Sequence, residues 1–251
     1  MITLAKQQIQ VRLRFTEPVL GTVPEDYATW ETFVRPKVAA HLNPDKMKPQ
    51  DYAEQIDELL DQTEDEIQVH PAYANAEDAR RRDKADRDGD KDKTDKTLPT
   101  TFFRDSTGPI LLNYQVMGHL KELGNIAKEA LKIKALRNKI ERYVSVTPRR
   151  IPLEHAELGR VTRPLRGETM QGPRIFIATS DAVRAGAEIA FSLHILPNPE
   201  VTPDVLETLL RELGSVRGLG QWRTGGWGTY EVVEFTVHQD RKPRSKAVEP
   251  V

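Results

Sequence analysis

The sequence predicts an α+β fold with strands and helices interleaved, and three stretches carry that expectation. Residues 9–15 alternate apolar Ile9, Val11, Leu13 and Phe15 with polar Gln10, Arg12 and Arg14, the period of a half-buried strand. Residues 188–196 do the same, with Ile189, Phe191, Leu193 and Ile195 facing one way and Glu188, Ala190, Ser192 and His194 the other. Between that strand and a last alternating stretch, 230–237, the pattern changes to a helix starting at Pro203. The resulting order is strand, helix, insertion, then strand, strand, helix, strand. It is an α+β arrangement of the split βαβ, ferredoxin-like kind.

After the first strand, Glu17-Pro18 breaks the alternation, and Gly21 and Pro24 mark a turn before a short helical stretch at 30–38. An acidic helix is expected at 50–67, started by Pro49, with Ile56, Leu59 and Leu60 on one face. Residues 80–96 then hold 14 charged side chains in 17, so they have no apolar surface to offset their ordering entropy. Their Asp86-x-Asp88-Gly89-Asp90 run lacks the glycine and glutamate positions of a calcium loop. From 114 to 142 the residues Val116, Leu120, Leu123, Ala127, Leu131, Ile133, Leu136 and Ile140 predict a long or broken helix, with Gly118 and Gly124 marking close packing or the break. Residues 143–153 read as extended, confined to a sheet edge by Pro148 and Pro152. A short strand is expected at 174–179. The helix after it has Thr202 as N-cap, Asp204 in its first turn, a stripe of Val205, Leu206, Leu209, Leu210 and Leu213, and Gly214 as its stop. In the last strand Val233, Phe235 and Val237 are expected to share a face.

The domain expectation is therefore one domain over 1–251. It carries an acidic helical insertion at about 40–78, a mobile charged loop at about 79–98 and a flexible tail at 242–251.

Composition narrows the chemistry. The chain has 251 residues and no cysteine, which excludes disulfides, thiolate zinc sites, iron–sulfur clusters and thiol nucleophiles. No apolar run is long enough for a membrane span, and the first residues lack a signal-peptide core, so a soluble, cytoplasmic protein without cofactor or metal is expected. Lys plus Arg number 37 and Asp plus Glu 38, but the signs are segregated. Residues 17–78 hold 15 acids and 4 bases, a local charge of −11, whereas 128–174 hold 12 bases and 5 acids, +7. A basic field of that kind suits a polyanionic partner. Six arginines and no lysine between 143 and 174 (Arg149, Arg150, Arg160, Arg163, Arg166 and Arg174) favour bidentate phosphate contact. The competing reading is ion pairing with the acidic region. Pro148, Pro164 and Pro173 are read as stiffening the loops that carry these arginines.

The densest motif runs from Arg217 to Gly228, with five glycines between Gly218 and Gly228. Gly218, Gly220, Gly225 and Gly226 permit close backbone approach, and the N–H groups of such a loop can form an anion-binding concavity beside Arg217 and Arg223. Trp222 and Trp227 offer faces for base stacking. A glycine-rich packing loop with core tryptophans accounts for the same residues equally well. The loop precedes a strand and has no Gly-Lys-Ser/Thr, so it is neither a dinucleotide fingerprint nor a P-loop.

This arrangement of a helix, Gly-x-Gly, Gly-Gly-x-Gly and a terminal strand resembles the glycine-rich loop of the RAMP superfamily. Those proteins are the RNA-binding subunits of CRISPR effector complexes, with ferredoxin-like, RRM-like folds. The stretch Phe103-Arg104-Asp105-Ser106-Thr107-Gly108-Pro109-Ile110, followed by Gln115-Val116-Met117-Gly118-His119-Leu120-Lys121-Glu122, is similar to the RAMP pattern of an Arg-Asp turn, a strand and a Gly-x-Leu-Lys helix start. The whole chain also looks like a family common in phages and prophages, through Phe15-Thr16-Glu17, Pro148-Arg149-Arg150-Ile151-Pro152-Leu153 and Gly218-Leu219-Gly220-Gln221-Trp222.

The resemblance implies a non-catalytic protein binding RNA or single-stranded DNA, assembling head to tail with itself or with other RAMP-like subunits. Lys121, Arg149, Arg150, Arg160, Arg163, Arg166 and the 217–227 loop are then the contact residues. Two alternatives stand beside it: a metal-independent endoribonuclease using His41 or His119, and a phage structural or assembly protein. The histidines form no metal-ligand pair, His194 and His238 read as outward sheet positions, and Asp105 as a structural turn residue.

Overall fold

A computed structural model describes residues 7–25, 99–169 and 172–239. The expected helices at 30–38 and 50–67, the insertion near 40–78, the charged loop at 79–98, the tail and His41 lie outside the described residues.

The first strand, β1 (Gln7–Phe15), holds Ile9, Val11, Leu13 and Phe15 in the core, as its alternation requires. Two two-residue strands follow, β2 (Val19–Leu20) and β3 (Val23–Pro24), and then β4 (Thr100–Thr101), β5 (Phe103–Asp105) and β6 (Gly108–Leu112). The helical stretch is broken: α1 (Asn113–Ala127) and α2 (Leu136–Tyr143) are separate, with Lys132 and Ala135 at positive φ between them. Gly124 marks close packing, since a Cβ there would lie 2.6 Å from the Ile140 side chain of α2. Next come β7 (Val144–Thr147), β8 (Arg150–Pro152), β9 (Leu158–Thr169), β10 (Gly172–Val183), β11 (Glu188–Ile195), α3 (Pro203–Gly214) and β12 (Tyr230–Gln239). In α3 the Thr202 hydroxyl accepts from the Val205 N–H at 3.3 Å, with Pro203 and Asp204 in the first turn. A Cβ on Gly214 would meet the Tyr230 ring at 2.4 Å, so this glycine also seats the helix on β12.

The main sheet runs β12-β1-β11-β7, each neighbouring pair antiparallel. Taken as the first to fourth strands of a core unit (β1, β7, β11, β12), the order is 4-1-3-2. With α1 and α2 between the first two strands and α3 between the last two, this is the ferredoxin-like arrangement that the element order predicts. One sheet face meets the helices through Val116, Leu120, Leu123, Leu136, Ile140, Leu206, Leu209 and Leu210.

Two expectations change. The short strand at 174–179 belongs to a long hairpin, β9 against β10, with register from Gly172↔Thr169 to Val183↔Leu158. The arginines of this segment therefore lie on strands rather than on proline-stiffened loops. Pro164 is tolerated because β9 pairs on one side only, and Pro173 because the second neighbours of β10 begin at Ser180. In β12, the register slips between Arg12 and Leu13, so Leu13 faces Val232 while Val11 faces Phe235. The extra residue, Val233, turns outward.

Candidate nucleic-acid interface

The glycine loop joins α3 to β12, and its two limbs lie back to back. The Leu219 N–H donates to the Gly228 carbonyl at 2.9 Å. A Cβ on Gly218 would stand 2.1 Å from the Trp227 carbonyl oxygen, and one on Gly228 would stand 1.9 Å from that of Leu219. The loop is then fastened to the β2 region: Gln221 N–H donates to the Leu20 carbonyl at 3.2 Å and Gly228 N–H to the Pro18 carbonyl at 2.9 Å. Gly220, at φ +89°, leaves no room for a side chain against Leu20. These glycines are packing residues, and no side chain fits where they stand.

The tip differs. Trp222 takes the left-handed conformation and leads into a single 3-10 turn, Arg223–Gly225. Gly225 N–H donates to the Trp222 carbonyl at 2.9 Å and Gly226 N–H to that of Arg223 at 3.4 Å. Because these N–H groups close their own turn, the expected anion concavity is not built at Gly225 and Gly226. What the tip offers is surface: both residues are exposed, Gly226 has open space where a Cβ would point, and Trp222 is 40% exposed. Trp227 beside them is half-buried.

Arg163 explains how Trp222 is held. Its guanidinium carbon lies 5.0 Å from the indole centroid. Its N–H groups donate to Ser180 Oγ at 3.1 Å and Gln221 Oε1 at 2.9 Å, and Thr100 and Ser180 hydroxyls donate to the same Gln221 oxygen. Arg163 is only 6% exposed, its Nε has no hydrogen-bond partner, and burial lowers its pKa from the usual arginine value. The expectation of Arg163 on phosphate is corrected: desolvated and turned inward, it positions Trp222.

The other arginines do not form one patch. Arg160 pairs with Asp181 at 3.1 Å and with Glu25 at 3.0 Å, contacts that raise its pKa. Asp181 also accepts from Thr101 at 2.7 Å and Arg104 at 3.4 Å, a buried knot joining β4, β9 and β10. Pairing with the acidic region thus holds for Arg160. Arg149 is exposed in the turn before β8, and Arg150 is half-buried in β8 opposite Leu112. Arg217 is half-buried after α3. Arg166 is exposed on the hairpin with no partner among the described residues. Arg174 lies in β10 opposite Gly167. Arg223 is bound to Glu122 at 2.6 Å and Lys121 to Glu141 at 2.9 Å, so both expected contact cations are already paired.

His119 is not a surface residue near a groove. It is 1% exposed, its Nε2 lies 2.8 Å from the Tyr230 hydroxyl, and its Nδ1 has no partner. Burial, with a smaller contribution from the Arg223 charge, pushes its pKa down to about 3. Burial raises the Tyr230 phenol in turn. A neutral, sealed imidazole cannot exchange protons with a substrate near pH 7, so His119 is removed as a catalytic candidate. Asp105 is the turn residue expected, its carboxylate accepting from the Thr107 N–H at 2.8 Å and hydroxyl at 2.6 Å.

The sheet face away from the helices carries Gln8, Gln10, Arg12, Arg14, Ser192, His194, Glu231, Glu234 and His238. Arg12 bonds Glu154 and Glu188, and Arg14 bonds Glu188 and Glu231. These contacts hold Glu188 below the usual carboxylate range. RRM-type stacking needs aromatics on that face, and its described residues include none. Among the described residues the exposed aromatic side chains are Trp222 on the loop and Tyr114 at the start of α1.

Sequence reading missed Gln221 and Ser180 as the polar frame of the loop and Asp181 as the acceptor beside it, because their partners are 17 to 121 residues away. Two exposed apolar residues were also missed: Ile175 and Ile177, 68% and 56% exposed, share the outer hairpin face with Pro164 and Arg166. Among the described residues no group of three or more His, Asp or Glu is placed to hold a metal, and no helix is long and apolar enough to cross a membrane.

The chain is an α+β protein of ferredoxin-like strand order with a glycine loop docked on its sheet edge. No family model and no curated protein matches it. Among solved structures it is similar to one described as the cryo-EM structure of the type III-B Cmr-beta bound to cognate target RNA, at 9% identity and a TM-score of 0.44. The match covers 94% of this chain and spans 61% of that one.

Proposed function

We propose that the chain binds single-stranded nucleic acid, RNA or DNA, without cutting it, and that the glycine-loop tip is the contact surface. The observation that carries this reading is Trp222, an exposed indole braced by a buried guanidinium on a loop whose stem is packed and hydrogen-bonded against the β2 region. A rigid aromatic face costs little ordering entropy when a base stacks on it. Arg166, exposed on the hairpin, and the half-buried Arg217 supply phosphate contacts, and the arginines that are buried or held by carboxylates do not. Ile175 and Ile177 favour a further contact with a second copy or a similar subunit, giving head-to-tail assembly along a strand of the phage or mobile-element kind.

The test is a titration of labelled single-stranded RNA, single-stranded DNA and duplex between about 50 and 200 mM salt. Single strands are expected to bind, with affinity falling as salt rises. Trp222→Ala is expected to weaken binding by about 1–3 kcal/mol while leaving the salt slope unchanged. Absence of single-strand binding at the lowest salt refutes the reading.

A further inference from the structure

Beside the loop tip, Glu17 and Pro18 on one side and Gly225, Gly226 and Trp227 on the other enclose an open cleft of about 410 Å³. Its two walls are fixed to each other. Gly228 N–H donates to the Pro18 carbonyl at 2.9 Å, Thr16 N–H donates to the Thr229 carbonyl at 2.9 Å, and the two threonine hydroxyls meet at 2.9 Å. The surfaces facing the cleft are a proline ring, an indole and two residues without side chains, which suits a flat ring. The volume falls in the range of small-ligand sites.

The single charged residue lining the cleft is Glu17, exposed and without a side-chain partner among the described residues. An ionised carboxylate only accepts hydrogen bonds, and with two oxygens it accepts from two adjacent donors. Its charge opposes phosphate, so it favours a base edge over the backbone. Among the standard bases, guanine alone presents two neighbouring donors on its pairing edge, N1–H and the 2-amino group. Adenine and cytosine place one amino group next to an acceptor, and uracil places one N–H between two carbonyls. We infer that this cleft is a guanine-selective base pocket. Trp227 and Pro18 pack on the ring, and Glu17 accepts from N1–H and the 2-amino group. The inference rests on the reading of the chain as a single-strand binder.

The experiment uses the full chain and short labelled uridine oligomers carrying one central guanosine, adenosine or inosine, beside the plain oligomer. Guanosine is expected to tighten binding roughly tenfold over the plain oligomer, adenosine to add little, and inosine, which lacks the 2-amino group, to lose most of the gain. Glu17→Gln is expected to abolish the guanosine preference while the plain oligomer binds as before. Its melting temperature should hold, since Glu17 supports no other side chain. If the plain oligomer binds and guanosine adds nothing, the pocket assignment is overturned while single-strand binding stands. If no oligomer binds, the binding reading fails and the pocket with it. A Glu17→Gln effect confined to arginine-containing peptides makes the cleft a protein-docking slot and also overturns the inference.

Discussion

His119 offers a test of the fold that does not depend on any ligand. The side chain is sealed between α1 and β12, and its pKa falls from 6.5 to about 3 on folding. A histidine depressed in this way is neutral in the folded chain and charged in the unfolded chain throughout that interval. Its contribution to stability is complete above about pH 6.5 and is lost as pH falls toward 3. At about pH 5 the unfolded state gains about 2 kcal/mol from protonating this one group, being some 1.5 units below its unfolded pKa at about 1.36 kcal/mol per unit. His119→Gln keeps a side-chain partner for the Tyr230 hydroxyl and removes the titration.

The assay is urea unfolding of both proteins at about pH 7.5 and about pH 5. The native chain is expected to lose about 2 kcal/mol more than the variant over that step, a midpoint difference near 1 M for an ordinary urea slope. Parallel losses in the two proteins would refute the burial of a neutral imidazole, because every other titrating group is common to both. Activity measurements are not needed for this test, which also separates the structural role of His119 from the acid–base role that its sequence neighbours suggested.

The remaining expectations concern the loop and the hairpin. Gly218→Ala places a Cβ 2.1 Å from backbone and is expected to cost at least about 2 kcal/mol in urea unfolding. Gly226→Ala meets only its own φ of +85° and is expected to cost about 1 kcal/mol; equal costs would show that the two halves of the loop are not distinct. Arg163→Met is expected to lower the melting temperature and loosen Trp222 without changing the salt slope of binding, whereas Arg166→Ala is expected to reduce that slope by about one unit at unchanged melting temperature. A reversal of those two slopes would return Arg163 to the phosphate surface.

Elements whose information is local were legible in the sequence. The alternation of β1 and β11 and the Thr202-Pro203-Asp204 cap of α3 each lie in one short stretch, and each appears where it was read. The four-strand order follows from them once the helices are placed. The hairpin was hidden because Pro164 and Pro173 suggest loops, and only one-sided pairing at those two positions makes them admissible. The facing of β12 was hidden by the register slip at Arg12, which no residue in β12 itself announces. His119 was legible in principle. It stands three residues after Val116 and four before Leu123 on the buried stripe of α1, and the adjacent Gly118 and Lys121 drew attention to the wrong face. The glycine loop was read as a choice between packing and contact surface. The structure divides it, with Gly218, Gly220 and Gly228 packed on backbone, Gly225 exposed but close against the Trp222 ring, and Gly226 open.

That division bears on how a charge count should be used. The +7 of residues 128–174 suggests one strong phosphate surface, yet Arg160 is neutralised by Asp181 and Glu25, Arg163 is desolvated, and Lys139 pairs with Glu200. Only cations that hold a condensed polyanion in exchange for counterions add to the salt dependence, and a guanidinium already sharing a carboxylate exchanges nothing. The exposed cations without a hydrogen bond or ion pair among the described residues include Arg166 on the hairpin, Lys128, Lys132 and Lys134 on the α1–α2 connection, and Arg137 and Arg142 on α2. A strand crossing the loop tip is therefore expected to show a shallow salt slope, of a few units rather than the six or more that the arginine count invites. Stacking on Trp222, and not the number of arginines, is then expected to set most of its affinity. A steep slope would mean that the paired arginines let go of their carboxylates on binding, and the knot at Asp181 would have to open with them.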